Sequence, residues 1–218
     1  MCFVMKHRLL LCIFILNSFV YSCFSQEVVE KNERDVEIRN FLDSRKNSWR
    51  DMNVSESDGK VLYDIILEHN YTKALEIGTS TGHSTIWIAW ALSKTGGKLI
   101  TLELDEDRHK TALKNVKDAG LSEYVDARLG NAHELVPELE GPFDFVFSDA
   151  DKDWYKKYLE LLLPKIEEGG CFTAHNVLNR YYGIQEFLDY VNSLPNMETT
   201  IIRSSYSGVS ASYKKHEE

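Results

Sequence analysis

Short apolar runs alternate with longer amphipathic segments through most of this chain, from Asp58 to His175. The apolar runs are "KALEI", "KLITLEL", "YVDARL", "FDFVFSDA" and "CFTAH", and the segments between them have helical spacing. Strands separated by helices predict a parallel sheet with helices on both faces, because each parallel connection must cross the sheet. The closing segments "METTIIRSS" and "GVSASYKK" predict an antiparallel hairpin, joined by a short turn that contains Gly208. We therefore predict an α/β fold, with a Rossmann-like, doubly wound, mostly parallel sheet and a C-terminal antiparallel hairpin.

The first 25 residues differ from the rest of the chain. They have a basic start, an apolar run from Leu9 and small residues near Ser25, a pattern typical of an export signal. An uncleaved anchor and a lipoprotein signal ending at Cys23 are the alternatives. We assign residues 1–25 to a signal peptide or N-terminal anchor and residues 26–218 to one domain. We expect a protein that is exported or membrane-attached, and cytoplasmic if the segment is not used.

The charge of the chain restricts its partners. The formal net charge is −9, and removal of the first 25 residues changes it to −11, because they carry Lys6 and Arg8 and no acidic residue. A chain with this negative charge is repelled by a nucleic-acid backbone and by an anionic membrane, so neither is an expected partner. We expect a small-molecule partner, no nucleic acid, and membrane attachment through the N-terminus only. Cys171 is the one cysteine outside that segment, so no internal disulfide is expected in a mature chain.

A glycine turn follows the first predicted strand, in "EIGTSTGHS", where Gly78 and Gly82 are four residues apart. A dinucleotide site requires Gly-x-Gly-x-x-Gly, so that the backbone can approach a pyrophosphate, and this spacing is absent. Glu76, just before the turn, would repel a phosphate but can orient an ammonium group, directly or through water. The alternative is a turn that serves packing alone.

The second predicted strand ends at Glu103, 21 residues after Gly82. An acid at about this distance binds ribose hydroxyls in doubly wound folds. Its neighbour Asp105 is better explained as the N-cap of the next helix. A site for an amino-acid head and a ribose, without phosphate, indicates S-adenosylmethionine.

From about Asn53 to Lys215 the chain resembles the S-adenosylmethionine-dependent O-methyltransferases of the catechol and caffeoyl-CoA type. The matching segments are "VSESDGKVLYDII", "ALEIGTSTGHST", "LITLELD", "RLGNAHELVPEL", "FDFVFSDADKDWYKKYLELLLP", "GGCFTAHNV" and "GVSASYKK". The resemblance implies a class I methyltransferase fold and methyl transfer to a hydroxyl of a small aromatic, catechol-like acceptor. It also implies a homodimer, since family members are commonly dimers.

The resemblance also implies a set of cofactor-binding residues. They are Val54, Glu76, Gly78, Ser80, Gly82, Ser84, Glu103, Asn131, Ala132 and Asp149. Within this set Glu103 would hold the ribose, while Asn131 and Ala132 would border the adenine. Family members commonly have an acid where this chain has Asn131, which indicates an altered purine contact.

The catalytic residues are expected in "FVFSDADKDWY". Asp149 ends a predicted strand, and Lys152 begins the next helix, where the positive helix terminus should lower the pKa of the lysine and help it act as a base. By resemblance Asp149 is a metal ligand and Lys152 the catalytic base. The alternatives are a helix cap at Asp151 or Asp153 and a solvated surface lysine at Lys152.

The predicted metal ligands are Asp149, His175 and Asn176, for Mg or Mn. The family usually has Asp-Asn where this chain has His175-Asn176, and the histidine nitrogen favours Mn or another transition ion. A buried, hydrogen-bonded core histidine is the alternative. Two other functions remain open: a protein that binds S-adenosylmethionine but has lost or altered catalysis because of His175, and a nicotinamide-dependent oxidoreductase, which the glycine spacing disfavours.

Overall fold

The computed structural model describes residues 33–49, 51–179 and 182–216. The chain divides into two compact units, Met1–Ser44 and Arg45–Glu218. In the first unit residues 33–44 form a helix, α1. The predicted signal at residues 1–25 lies outside the described residues and stays a prediction, as does the domain boundary at residue 26. Within the described ranges, no helix has both the length and the apolar character that a membrane span needs.

The second unit alternates helices and strands. In chain order they are α2 (Glu56–His69), β1 (Lys73–Ile77), α3 (His83–Thr95), β2 (Lys98–Glu103), α4 (Glu106–Asp118), β3 (Val125–Leu129), α5 (Ala132–Glu138), β4 (Phe143–Ser148), α6 (Tyr155–Leu162), β5 (Ile166–His175), α7 (Tyr182–Ser193), β6 (Met197–Ile202) and β7 (Val209–Lys214). A 3₁₀ turn, Lys152–Trp154, precedes α6.

The strands form one seven-stranded sheet in the order β3-β2-β1-β4-β5-β7-β6. Strands β1 to β5 pair with one another in parallel, and β7 pairs antiparallel with both β5 and β6. The chain order reverses between β1 and β4, which is the switch point where ligands bind in open α/β sheets. The predicted doubly wound sheet with a C-terminal hairpin is confirmed.

The sheet is buried on both faces, which explains the continuous apolar runs of its central strands. All six residues of β4 are buried. Leu75 and Val146 pack in the core on one face, while Ala74 and Phe145 pack on the other. Consecutive strand residues point to opposite faces, so one run of sequence supplies both cores.

The structure departs from the predicted elements in two places. Strand β5 begins at Ile166, before the predicted start at Cys171, and continues through Gly169 and Gly170, which masked the strand pattern in the sequence. The predicted short turn of the hairpin is a longer connection, residues 203–208, between β6 and β7. This connection reaches the carboxyl end of the parallel strands and contributes to the site described next.

Candidate functional site

A cleft of about 920 Å³ opens at the carboxyl ends of β1, β2, β4 and β5. Most of the predicted site residues line it, as expected for a switch-point site. The predicted residues on its wall are Val54, Gly78, Ser80, Glu103, Asn131, Ala132, Asp149, Lys152, His175 and Asn176. The other three predicted residues lie behind this wall. Glu76 is buried, and Gly82 and Ser84 are at the start of α3.

Gly78 allows the ends of β1 and β4 to approach each other. Its φ of 101° lies in the region that favours glycine, and an added Cβ would lie 2.9 Å from the carbonyl carbon of Asp149. The amide of Asp149 donates to the carbonyl of Ile77 at 2.9 Å. Any side chain at Gly78 would therefore collide with the backbone that carries Asp149.

Glu103 is held at the end of β2 by two backbone amides. The amide of Ser80 donates to its Oε2 at 2.7 Å and the amide of Asp105 to its Oε1 at 3.0 Å. Each carboxylate oxygen can accept a second hydrogen bond, so both can accept hydrogen bonds from hydroxyl groups of a ligand in the cleft. Asp105 caps α4 as predicted, since its side chain accepts from the amides of Asp107 and Arg108.

Glu76 is fully buried beneath the glycine turn. The hydroxyls of Thr85 and Thr101 both donate to its Oε2 at 2.6 Å, whereas its Oε1 has no hydrogen-bond partner among the described residues. Burial raises the pKa of Glu76 to about 7, although the hydroxyls of Ser84, Thr101 and Thr85 oppose this. An unpaired buried acceptor is costly unless a donor completes it, so Oε1 suits an ammonium group or a water molecule.

The predicted adenine side is built from α5 and the 3₁₀ turn. Asn131 caps α5, because its Oδ1 accepts from the amide of His133 at 3.0 Å. The ring of His133 stacks on Trp154 with ring centres 3.6 Å apart. His133 lines the cleft and was not predicted. In the sequence it looks like an ordinary polar residue in a helix.

Asp149 and Lys152 form an ion pair at the bottom of the cleft. Lys152 Nζ lies 2.7 Å from Asp149 Oδ1 and 3.1 Å from the carbonyl oxygen of Ala150. The two side chains are 23% and 10% exposed, so Lys152 is a paired residue of the site rather than a solvated surface lysine. Asp151 caps the 3₁₀ turn by accepting from the amide of Asp153, so of the two alternative caps the structure has Asp151.

His175 lies between two carboxylates. Its Nδ1 is 3.1 Å from Asp149 Oδ2, and its Nε2 is 3.0 Å from Asp58 Oδ2. Burial alone would lower the pKa of His175, but the two carboxylates outweigh burial and raise the pKa to about 9. Because a carboxylate oxygen lies within hydrogen-bond distance of each ring nitrogen, both contacts are satisfied when the ring is an imidazolium that donates from both nitrogens.

Asp58, like His133, is a residue of the site that the sequence did not predict. It is 1% exposed and accepts from His175 and from the hydroxyls of Ser55, Ser204 and Ser205. Burial would raise the pKa of Asp58, but these hydrogen bonds hold it well below its usual range. The local motif Ser55-x-x-Asp58 was visible, since Ser55 caps α2 by accepting from the amide of Asp58. Nothing local shows that the same carboxylate reaches His175.

A model of the O-methyltransferase family matches residues 27–187 of the chain. The chain belongs to the O-methyltransferase family. It is 40% identical over 131 residues to a catechol O-methyltransferase of Niastella koreensis, covering 58% of this chain and 59% of that relative. It is 31% identical over 138 residues to caffeoyl-CoA O-methyltransferase 1 of Eucalyptus globulus, covering 61% of this chain and 56% of that relative. The chain thus spans less than two thirds of these relatives.

The fold of this O-methyltransferase family member is also found in a solved structure. An O-methyltransferase from Bacillus cereus, crystallised in complex with SAH, superposes with a TM-score of 0.72 and 29% identity. The match covers 83% of this chain and 91% of that protein. The predicted family and the predicted class I methyltransferase fold are both confirmed.

Proposed function

We propose that this protein transfers a methyl group from S-adenosylmethionine to a hydroxyl of a small aromatic, catechol-like acceptor. The observation that carries the proposal is one cleft, at the carboxyl ends of the parallel strands, that holds Glu103, the Gly78 turn and the Asp149–Lys152 pair together. The names of the relatives support a phenolic acceptor, and the bound SAH of the Bacillus cereus protein supports the cofactor.

The residues present fit this cofactor. Glu103 offers two carboxylate oxygens to ribose hydroxyls, and the turn at Gly78 has no side chain to obstruct a ligand against β1. Glu76 lies behind the cleft wall, and its Oε1, which has no partner among the described residues, can orient an ammonium group through a water molecule. S-adenosylmethionine supplies, when bound, a methyl group activated on a cationic sulfonium.

Lys152 is the residue that we assign to take the proton of the acceptor hydroxyl. In the resting site the ammonium of Lys152 pairs with Asp149 at 2.7 Å and with the carbonyl oxygen of Ala150 at 3.1 Å. Loss of one proton to solvent gives the neutral Nζ that acts as the base, and uptake of the hydroxyl proton restores the ion pair. Asp149 thereby stabilises the state that follows proton transfer. Positioning of the hydroxyl in the cleft beside the sulfonium contributes further to catalysis.

The mouth of the cleft offers apolar walls for an aromatic acceptor. Trp49, Met52 and Tyr206 line it, and Tyr206 belongs to the 203–208 connection. Tyr206 is fully exposed and Met52 is 66% exposed, so both are available to contact a ligand ring.

The predicted metal ligands do not fit a divalent ion as they are arranged. Oδ1 of Asp149 is paired with Lys152, Oδ2 is paired with His175, and the second nitrogen of His175 is paired with Asp58. In the part of the chain that the structure describes, no group of three or more His, Cys, Asp and Glu side chains is arranged to hold a metal ion. We therefore derive no catalytic step from a metal.

The predictions of a homodimer and of no nucleic-acid partner stay predictions.

Two measurements test the proposed function. Calorimetric titration of the full chain with SAH should show saturable binding. Glu106→Gln should bind SAH as tightly as the parent, because Glu106 is exposed, pairs with Lys110 and does not line the cleft. Incubation with labelled S-adenosylmethionine and a panel of phenols that includes catechol should give labelled methyl ethers by mass spectrometry. Binding without any labelled product over the panel would favour the alternative, a cofactor-binding protein with lost catalysis, and absence of SAH binding would refute both.

A further inference from the structure

The charges around His175 balance without an added cation. Asp58 and Asp149 each contribute −1, and Lys152 and the doubly hydrogen-bonded His175 each contribute +1, which sums to zero. Asp58 and His175 are almost completely buried. A divalent ion would add two positive charges to this neutral, poorly solvated group and would have to displace the proton between His175 and Asp149.

We propose that a hydrogen-bonded Asp58–His175–Asp149 array takes the place of a divalent ion in this site, and that Asp58 is the positioning residue that fixes His175. The ring is held at both nitrogens, so it can neither rotate nor offer a lone pair. It orients Oδ2 of Asp149, while Oδ1 of the same carboxylate faces Lys152. His175 thus keeps Asp149 in the rotamer that pairs with Lys152.

Asp58 itself is fixed from several directions. Ser55, at the start of α2, donates to Oδ2, and so does Ser205; Ser204 donates to Oδ1. Ser205 also accepts from the amide of Ser207, at 3.0 Å. One buried carboxylate therefore joins the start of α2, the end of β5 and the connection that carries Tyr206. Positioning of the acid–base pair and the shape of the cleft mouth depend on the same residue.

The replacement of the metal is tested with Mn²⁺ alone, measured by electron paramagnetic resonance and by calorimetry on the full chain. Asp149→Ala identifies any Mn²⁺ bound at this site, since binding that survives this change lies elsewhere. We expect the parent to show no Asp149-dependent binding up to about 1 mM Mn²⁺. We expect His175→Asp to gain it, roughly tenfold or more tighter, because three carboxylates and one lysine leave a charge of −2 for the ion to neutralise.

Two results would overturn this part of the inference. One is tight, Asp149-dependent binding of Mn²⁺ by the parent. The other is failure of a folded His175→Asp variant to bind Mn²⁺, which would mean that His175 is not what excludes the ion. These experiments measure binding of Mn²⁺ and not turnover, so their outcome does not depend on the proposed methyl transfer. Only the kinetic measurement described below rests on that proposed function.

The role of Asp58 is tested by proton NMR of the ring N–H groups of His175, assigned by their loss in His175→Gln. The parent should show two protected ring N–H signals. Asp58→Asn should shift or broaden the Nε2–H signal and lower kcat roughly tenfold with little change in the KM of the cofactor. Asp64→Asn is the matched control, because Asp64 lies on the same helix, is exposed and pairs only with Lys60 among the described contacts. One ring signal in the parent, or an unchanged Nε2–H signal in Asp58→Asn, would overturn the assignment.

Discussion

Replacement of Glu76 by glutamine should change how the stability of the protein depends on pH. The pKa of Glu76 rises from 4.5 to about 7 in the folded protein, because the carboxyl group is fully buried. Between these values the native state binds more protons than the unfolded state, so the free energy of unfolding falls as the pH rises. The interval corresponds to about 3 kcal/mol, at roughly 1.4 kcal/mol per pH unit. Above pH 7 the parent carries this cost in full, and below pH 4.5 it carries none.

Glutamine at this position cannot ionise and so carries no such pH-dependent cost. The glutamine does place its amide NH₂ at the position of Oε1, where no acceptor is present among the described residues. This unpaired buried donor lowers the free energy of unfolding by about 1–3 kcal/mol at every pH. The absolute stability of Glu76→Gln therefore decides nothing, but the pH profile does. Relative to the parent, the variant should gain about 3 kcal/mol between pH 4.5 and pH 7.5. Urea denaturation followed by circular dichroism at several pH values measures this, with the exposed Glu106→Gln as control. Parallel profiles for parent and variant would refute the reasoning.

Three further predictions concern two residues of the site and the N-terminal segment. Glu103→Gln should weaken SAH binding by about 1.5–3 kcal/mol in calorimetry, because the charged acceptor of two hydroxyls is lost; unchanged affinity in a folded variant would exclude Glu103 as the ribose ligand. Gly78→Ala should lower stability by about 1–3 kcal/mol and abolish SAH binding, since its φ is 101° and its Cβ would lie 2.9 Å from the Asp149 carbonyl carbon; a thermal melt at the parent midpoint would contradict this. Residues 1–25 should direct the chain to the membrane or beyond, which cell fractionation with mass spectrometry of the N-terminus checks; a soluble cytoplasmic protein that still begins at Met1 would argue against an export signal.

The fold was predictable because its elements have local signals. Strand β1 was predicted as "KALEI" and lies at Lys73–Ile77, and the cap of α4 at Asp105 was predicted from its residue type and position. The positions of Gly78 and Glu103 in the cleft were predictable in the same way, since turn chemistry and spacing along the chain place them at adjacent strand ends. Such signals need only a few neighbouring residues. The extended connection at residues 203–208 had no comparable signal, and its contribution to the cleft depends on contacts with α2.

His175 and Asp58 show where local reasoning stops. The substitution at position 175 is visible in the sequence, but its consequence depends on a residue 117 positions earlier. Asp58 already has a complete local explanation as part of the cap of α2, and this explanation conceals its second role. The physical requirement is nevertheless specific. A histidine at 175 with an apolar residue at 58 would leave a buried Nε2–H without an acceptor, and an aspartate at 175 would place three carboxylates beside one lysine. Each residue at position 175 thus demands a different partner, a carboxylate acceptor for histidine or a cation for aspartate, and this chain provides the first.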